Sequence, residues 1–430
     1  MNVKLPLVLI AAGAVAAAAA PPAEDLAARA ARVHKDAIVA DTHEDVPEAL
    51  EQKWGAYANW HDIGEPGATE HVDIPRLREG GVTAPFFAVY VPAIYAETGG
   101  AGRYALELSD MVDGMVASHP KELAAAASVA DIRRAKTEGR IAVLKGIEGG
   151  HAIEDSMGAL RGFYRLGIRY MTLTHTNTNH WADSAGNFFA PDYDPATYQV
   201  HHGLSDFGRA VVREMNRLGM MVDVSHVSTE TVDDVLEASR APVFASHSSC
   251  RALSDIPRNL TDDQIQRIAA KGGVVMINIS SAFLDQAVVD HWTAAMAGIR
   301  PQYLSIKEQY KDDPKRRQEE LDKLIKGLPK RAPTDWKKAV DHIEHVIRIA
   351  GPDAVGLGTD FDGIPDPPTG LEEVSKLPRI TEELLRRGHS EEEVRKVLGE
   401  NFLRFFAKVE EASRSLAAEP PSLASISPRP

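Results

Sequence analysis

Short clusters of histidine and carboxylate follow apolar runs along this chain. They are Asp41-Thr42-His43-Glu44-Asp45, Gly146-Ile147-Glu148-Gly149-Gly150, Thr174-His175-Thr176-Asn177, Asp223-Val224-Ser225-His226, Ala245-Ser246-His247 and Gly358-Thr359-Asp360-Phe361-Asp362-Gly363. Imidazole nitrogen and carboxylate oxygen form a borderline-soft donor set, which suits zinc best, with manganese, cobalt and iron as rivals. A single histidine after an apolar run is more often a structural residue; the information lies in the recurrence. The donors outnumber what one open catalytic ion takes. Two ions about 3.5–4 Å apart, sharing a carboxylate and a hydroxide, fit the set better. Two divalent ions against Asp45, Glu148 and one hydroxide leave a net charge of about +1, which attracts an anionic group.

Side-chain alternation narrows the candidates. His43 and Asp45 are two apart, so an extended backbone points both the same way. Lys145 and Glu148 are three apart and point oppositely. With Glu148 in the site, Lys145 faces the helices behind, which argues against a metal-bridging carboxylated lysine. Asp223 and His226 are also three apart, so Asp223 need not join the site. Asp362, two from Asp360, can face the same way and is expected to brace a ligand or cap a helix. His61, His71, His201 and His202 read as surface or loop-packing residues.

The elements that must hold these side chains are eight apolar, β-branched runs at 37–41, 83–91, 141–147, 168–173, 220–224, 242–245, 273–279 and 354–358. Nearly continuous apolar runs are expected of parallel strands buried on both faces. Helical patterns lie between many of them, at 204–218, 229–239 and 262–270, the last with Thr261 as N-cap. The alternation predicts a parallel sheet, and eight repeats predict closure into a (β/α)₈ barrel. Active sites of such barrels lie at the C-terminal ends of the strands, where six of these eight runs carry His, Asp or Glu. The charged, Pro-punctuated stretch 281–338 predicts a helical insertion after strand seven. The Pro/Ser/Ala-rich tail 413–430 predicts disorder, leaving 25–412 as the folded domain.

The chain has 430 residues and a formal net charge of −14. That charge excludes a nucleic-acid footprint, which needs a basic face. Residues 1–20, with Lys4 ahead of an apolar run and small residues behind it, read as a secretory signal peptide. The mature protein is expected to be periplasmic or secreted and not inserted in a membrane. Cys250 is the single cysteine, so no internal disulfide forms; it reads as a small buried residue.

The motifs above, with Gly150-His151, Val227-Ser228, Ser248-Ser249 and Arg258-Asn259, occur in an order that resembles the membrane (renal) dipeptidases and their bacterial relatives. The likeness spans roughly residues 37–405. It implies an amidohydrolase-like (β/α)₈ TIM barrel with a dinuclear zinc site that hydrolyses dipeptides, L-Xaa-D-Xaa among them, by a hydroxide shared between the ions. By that resemblance His43 and Asp45 hold one zinc, His226 and His247 the other, and Glu148 bridges. His175 stabilises the developing oxyanion, Asp360 moves the proton from water to the leaving amine, and Arg258 grips the substrate carboxylate. A homodimer is implied too. Mammalian members carry an aromatic residue near the end of strand seven; here the stretch reads Ile277-Asn278-Ile279-Ser280-Ser281. Two other functions stand beside this one: a related deacylase of N-acyl amino acids or lactonase, and a periplasmic metal- or peptide-binding protein without catalysis. The complete set of site residues argues against the second.

Overall fold

The computed structural model describes residue 1 and residues 25–55, 63–328 and 333–426. The signal-peptide stretch and His61 lie outside the described residues. Nine strands form among the described residues: β1 (Ala40–Glu44), β2 (Ala84–Tyr90), β3 (Leu123–Ala125), β4 (Ile141–Glu148), β5 (Ile168–Thr172), β6 (Met221–Asp223), β7 (Phe244–Ala245), β8 (Val274–Ile277) and β9 (Val355–Leu357). Eight of them run β2-β1-β9-β8-β7-β6-β5-β4, and pairing of β2 with β4 closes the ring. Every pairing is parallel. The expected (β/α)₈ barrel is therefore present.

Alternate strand residues separate into two apolar clusters. Ala84, Phe86, Leu144, Tyr170, Met221, Phe244, Val274 and Met276 fill the barrel interior. Phe87, Val143, Met171, Val222, Ala245 and Val275 pack outward with the helices. This is the period-two division expected of a strand buried on both faces. Phe402, Phe405 and Phe406 of the helix Asn401–Leu416 join the inner cluster and plug its lower end. The opposite end, where the strands finish, is left to polar groups.

Three features differ from the sequence expectation. The first strand lies at Ala40–Glu44, three residues later than 37–41, because its polar residues find partners inside the fold. Asp41 accepts from the Thr359 amide at 2.9 Å, and the Thr42 hydroxyl donates to the Ser246 carbonyl at 2.6 Å. The strand β3 was not expected; it is three residues long and pairs only with β4, outside the ring. The tail is ordered further than its composition suggested. Helix continues to Leu416, the Ser422 amide donates to Glu214, and Ala424 and Ile426 pack on the core.

The insertion after β8 is helical as expected: Ser281–Leu284, Gln286–Gln309 and Pro314–Lys326 precede the barrel helix Lys337–Ala350. Lys307 pairs with Asp192 at 2.5 Å and Arg317 with Glu97 at 2.7 Å, tying the insertion to the loop after β5 and to the short helix Ile94–Thr98 after β2. Lys145 leaves the barrel interior and meets Asp113 at 2.7 Å, as alternation required. Cys250 is buried, its thiol pushed up by that burial, so it is not a nucleophile at neutral pH.

Candidate metal centre

Glu148 ends β4 and points over the upper mouth of the barrel. Its Oε1 stands 2.9 Å from His226 Nε2, 3.2 Å from His247 Nε2 and 3.6 Å from His43 Nε2. His43 Nε2 is 3.4 Å from Asp45 Oδ2. Three overlapping groups result, each with donor atoms within 4.8 Å: His43, Glu148 and His247; Glu148, His175 and His226; His43, Asp45 and Asp360. All seven residues expected at the centre thus converge. Ligand atoms of a tetrahedral ion bonded at about 2.1 Å stand roughly 3.4 Å apart, which matches this spacing.

Further observations favour divalent cations here. His43 Nε2, Asp45 Oδ1 and His226 Nδ1 are buried without a hydrogen-bond partner. Orphaned buried polar atoms are rare and costly in native proteins. Burial lowers the pKa of His226 and of His247, with Arg258 adding at the first and His43 at the second, so both imidazoles are neutral and keep a lone pair. Burial also acts against charge on His43, but Tyr170, Glu148 and Asp45 outweigh it and raise its pKa. Glu148 would rise through burial, yet His43, His175 and His226 hold it well below the usual carboxylate range. The pattern is that of an anionic spot beside two neutral nitrogen donors, His226 and His247, with a cationic His43 whose charge a metal ion would replace.

Neighbouring side chains fix how the ligands are presented. His247 Nδ1 lies 2.7 Å from the Ser246 hydroxyl, which donates onward to Asp223 Oδ2 at 2.6 Å. Nδ1 therefore carries the proton and Nε2 faces the centre. Asp223 stays out of the ligand cluster, as its spacing suggested, and acts through Ser246. His43 Nδ1 lies 2.8 Å from the Tyr170 hydroxyl. Gly146 makes room for that ring: a Cβ there would lie 2.1 Å from it. Removing the hydroxyl in Tyr170→Phe is expected to lower metal affinity by roughly 10- to 100-fold, the usual cost of losing a group that orients a ligand. Competition with a chelator measures this; unchanged affinity would deny Tyr170 the role.

Backbone conformation places the remaining groups. His226, Asp360 and Asp362 have φ of 68°, 66° and 68°, left-handed values that non-glycine residues rarely adopt. Strand alternation does not survive such turns. Asp362 consequently leaves the cluster: it accepts from the Thr69 hydroxyl at 2.6 Å and the His71 amide at 2.8 Å, while His71 Nδ1 accepts from the Asp362 amide at 2.9 Å. It anchors the loop after the first strand and neither braces a ligand nor caps a helix. His71 packs in that loop, and His201 likewise holds the Asn179 carbonyl at 3.0 Å. Gly363 must be glycine, since a Cβ would sit 2.2 Å from Asp45 Oδ2 and 2.4 Å from Asp360 Oδ1. Asn278 donates to Asp360 Oδ2 at 2.7 Å. Burial, with Asp45 and Glu148 adding to it and His43 opposing, raises the Asp360 pKa well above the usual range.

A cavity of about 340 Å³ opens over the cluster and is lined by Asp45, Glu148, His175, His226, Arg258 and Asp360, with Phe188, Phe189 and Phe283 as an aromatic wall. Burial lowers His175 to about 4, so its imidazole is neutral. Arg258 is not on the surface: it is 4% exposed, donates at 3.2 Å to the Ser248 hydroxyl and at 3.3 Å to the His247 carbonyl, and makes no salt bridge among the described residues. Sequence reasoning did not find Tyr170, Asn278 or the relay through Ser246. Each is an ordinary polar residue in or beside an apolar run, and only the closed ring aims it at a ligand.

Residues 27–420 match the family described as membrane dipeptidase (peptidase family M19). The fold is similar to the crystal structure of the probable dipeptidase PvdM from Pseudomonas aeruginosa, at 25% identity and a TM-score of 0.73, covering 90% of this chain and 99% of that one. It is also similar to a metallo peptidase from Rhodobacter sphaeroides liganded with a phosphinate mimic of L-Ala-D-Ala, at 27% identity and a TM-score of 0.69, covering 87% and 100%. An amidohydrolase from Pseudomonas aeruginosa matches at 25% identity and a TM-score of 0.63, covering 88% and 98%. With the match running across the barrel and every histidine and carboxylate of the cluster, this chain belongs to the membrane dipeptidase family.

Proposed function

We propose that this metallopeptidase-family hydrolase is an exported dipeptidase that works with two zinc ions and accepts free dipeptides, including those with a D-residue in second place. One observation carries the reading: a buried Arg258, with no salt bridge among the described residues, shares a small cavity with the His/Glu/Asp cluster. A guanidinium in that position suits a free carboxylate, gripped bidentately, close to the bond to be cut. The cavity lies near the lower end of the ~300–1,000 Å³ usual for small-molecule sites, which favours a short substrate. The phosphinate mimic in the similar Rhodobacter sphaeroides structure supports the D-residue. Export rests on the sequence of residues 1–20; among the described residues no helix is long and apolar enough to cross a membrane. The homodimer rests on family likeness.

His43, Asp45, Glu148, His226 and His247 would hold the ions, and bound ions supply Lewis acidity and a lowered water pKa. His175, neutral and half-buried at the cavity, donates to the oxygen that gains charge as the carbonyl is attacked. Asp360 takes the proton of the attacking water and gives it to the departing amine; its raised pKa makes it a carboxyl able to hold a proton between the two events. Arg258 holds the carboxylate and fixes the register of the peptide bond.

The test is hydrolysis of L-L and L-D dipeptides, with free and amidated carboxylates, before and after chelation and zinc restoration. Cleavage that needs metal and a free carboxylate supports the reading. Cleavage of N-acyl amino acids or lactones instead would move the function to a deacylase or lactonase. In the same assay Arg258→Ala is expected to raise KM for free dipeptides by roughly 10- to 100-fold, the worth of a charge-assisted hydrogen bond, with little change for amidated ones. An equal effect on both substrates would refute the carboxylate grip.

A further inference from the structure

Arg258 answers one end of a zwitterionic dipeptide and leaves the other unexplained. Among the described residues lining the cavity, Arg258 is the single Lys or Arg, while Glu48 is a carboxylate outside all three candidate ligand groups. Glu48 lies in the first turn of the helix Val46–Trp54, directly after the ligand Asp45, and faces the cavity beside Tyr90 at the end of β2. Its partner is Gln52 of the same helix, donating at 2.9 Å to one carboxylate oxygen, and it makes no salt bridge among the described residues. Burial and the charge of Asp45 push its pKa up to about 8. Among the described residues no Lys or Arg pairs with this half-buried carboxylate, so a cationic group entering the cavity can.

Topology places it opposite Arg258. Around the ring the order is β2-β1-β9-β8-β7, so the ends of β2 and β7 lie across the barrel from each other. Arg258 follows β7, Glu48 follows β1 beside the end of β2, and the cluster centred on Glu148 sits between them. A ligand spanning the mouth meets a cation at one rim, the ligand cluster in the middle and an anion at the other rim. A dipeptide has carboxylate, amide and ammonium in that order. Resting on the dipeptide reading above, we infer that Glu48 receives the free α-ammonium group of the substrate and restricts the enzyme to peptides with an unblocked N-terminus. An acidic residue in a first helical turn also favours the helix dipole. That role needs no opening onto the cavity, and it predicts no dependence on the substrate's amine.

The experiment uses the zinc-loaded full chain with alanylalanine and its desamino analogue N-propionylalanine, both with the second-residue stereochemistry the enzyme prefers. The readout is the ratio of the two kcat/KM values. The wild type is expected to favour alanylalanine by roughly 10- to 100-fold, the worth of a charge-assisted hydrogen bond. In Glu48→Gln the ratio should fall to within about threefold of one, with KM for alanylalanine raised. Metal content and circular dichroism confirm that the centre and fold persist. Glu48→Asp, which keeps the charge on a shorter arm, should restore part of the ratio. A wild-type ratio near one, or a ratio kept in Glu48→Gln, overturns the assignment while leaving the dipeptidase reading intact. If the wild type cleaves alanylalanine no better than water does, the dipeptidase reading falls and this assignment with it.

Discussion

Glu148→Gln is expected to empty the metal centre and reduce activity by at least about 10⁴-fold, because nearly all of an enzyme's typical acceleration of ~10⁶-fold or more would here depend on the bound ions. The substitution keeps the volume of the side chain and removes its charge. Glu148, like His43, belongs to two of the three donor groups, and three imidazole Nε2 atoms stand 2.9, 3.2 and 3.6 Å from its single oxygen. A neutral amide is a poor metal ligand and cannot balance two divalent ions. Metal analysis after dialysis against zinc should give well below the wild-type content. The fold should persist, since the inner and outer apolar clusters hold the barrel without the site. A variant that keeps wild-type metal and turnover would remove Glu148 from the centre.

Asp360→Asn separates metal binding from proton transfer. Turnover should fall by roughly 10²- to 10⁴-fold, the usual contribution of a positioned acid/base. Metal content should stay near wild type, because His43, Asp45, Glu148, His226 and His247 remain. Asparagine is nearly isosteric and can still pair with Asn278, which holds the carboxylate at 2.7 Å. The left-handed backbone at this position also tolerates asparagine better than most residues. The loss should appear in kcat with KM little changed, because a proton carrier acts in the transition state and contributes little to substrate binding. Metal lost in parallel with activity would make Asp360 a ligand, a role its place within 4.8 Å of His43 and Asp45 makes geometrically open. Metal retained with full activity would leave the proton carrier unassigned.

Much of this protein was legible in its residues. Eight apolar runs became the eight barrel strands, because a strand buried on both faces must be apolar nearly throughout. The ligand candidates were legible because a (β/α)₈ barrel brings the ends of its strands to one face, so residues separated by 317 positions, as His43 and Asp360 are, need only end their strands alike. The sorting of Lys145 away from the site followed from alternation alone and holds, since Lys145 and Glu148 lie on one regular strand.

Other features belonged to the tertiary structure. Alternation failed for Asp362 because φ is positive at both Asp360 and Asp362, and a period-two rule applies only to extended backbone. Arg258, in isolation more easily taken for a surface residue, is buried because the segment after β7 folds over the ring's mouth. The hydroxyl of Tyr170 and the amide of Asn278 are ordinary groups in sequence; they become supports only when closure of the sheet points them at His43 and Asp360. Sequence determined which elements form and which side chains are available, since those depend on local pattern. The relay through Ser246, the buried Arg258 and the facing Glu48 were decided by closure of the barrel, which sets distances between residues that no local pattern connects.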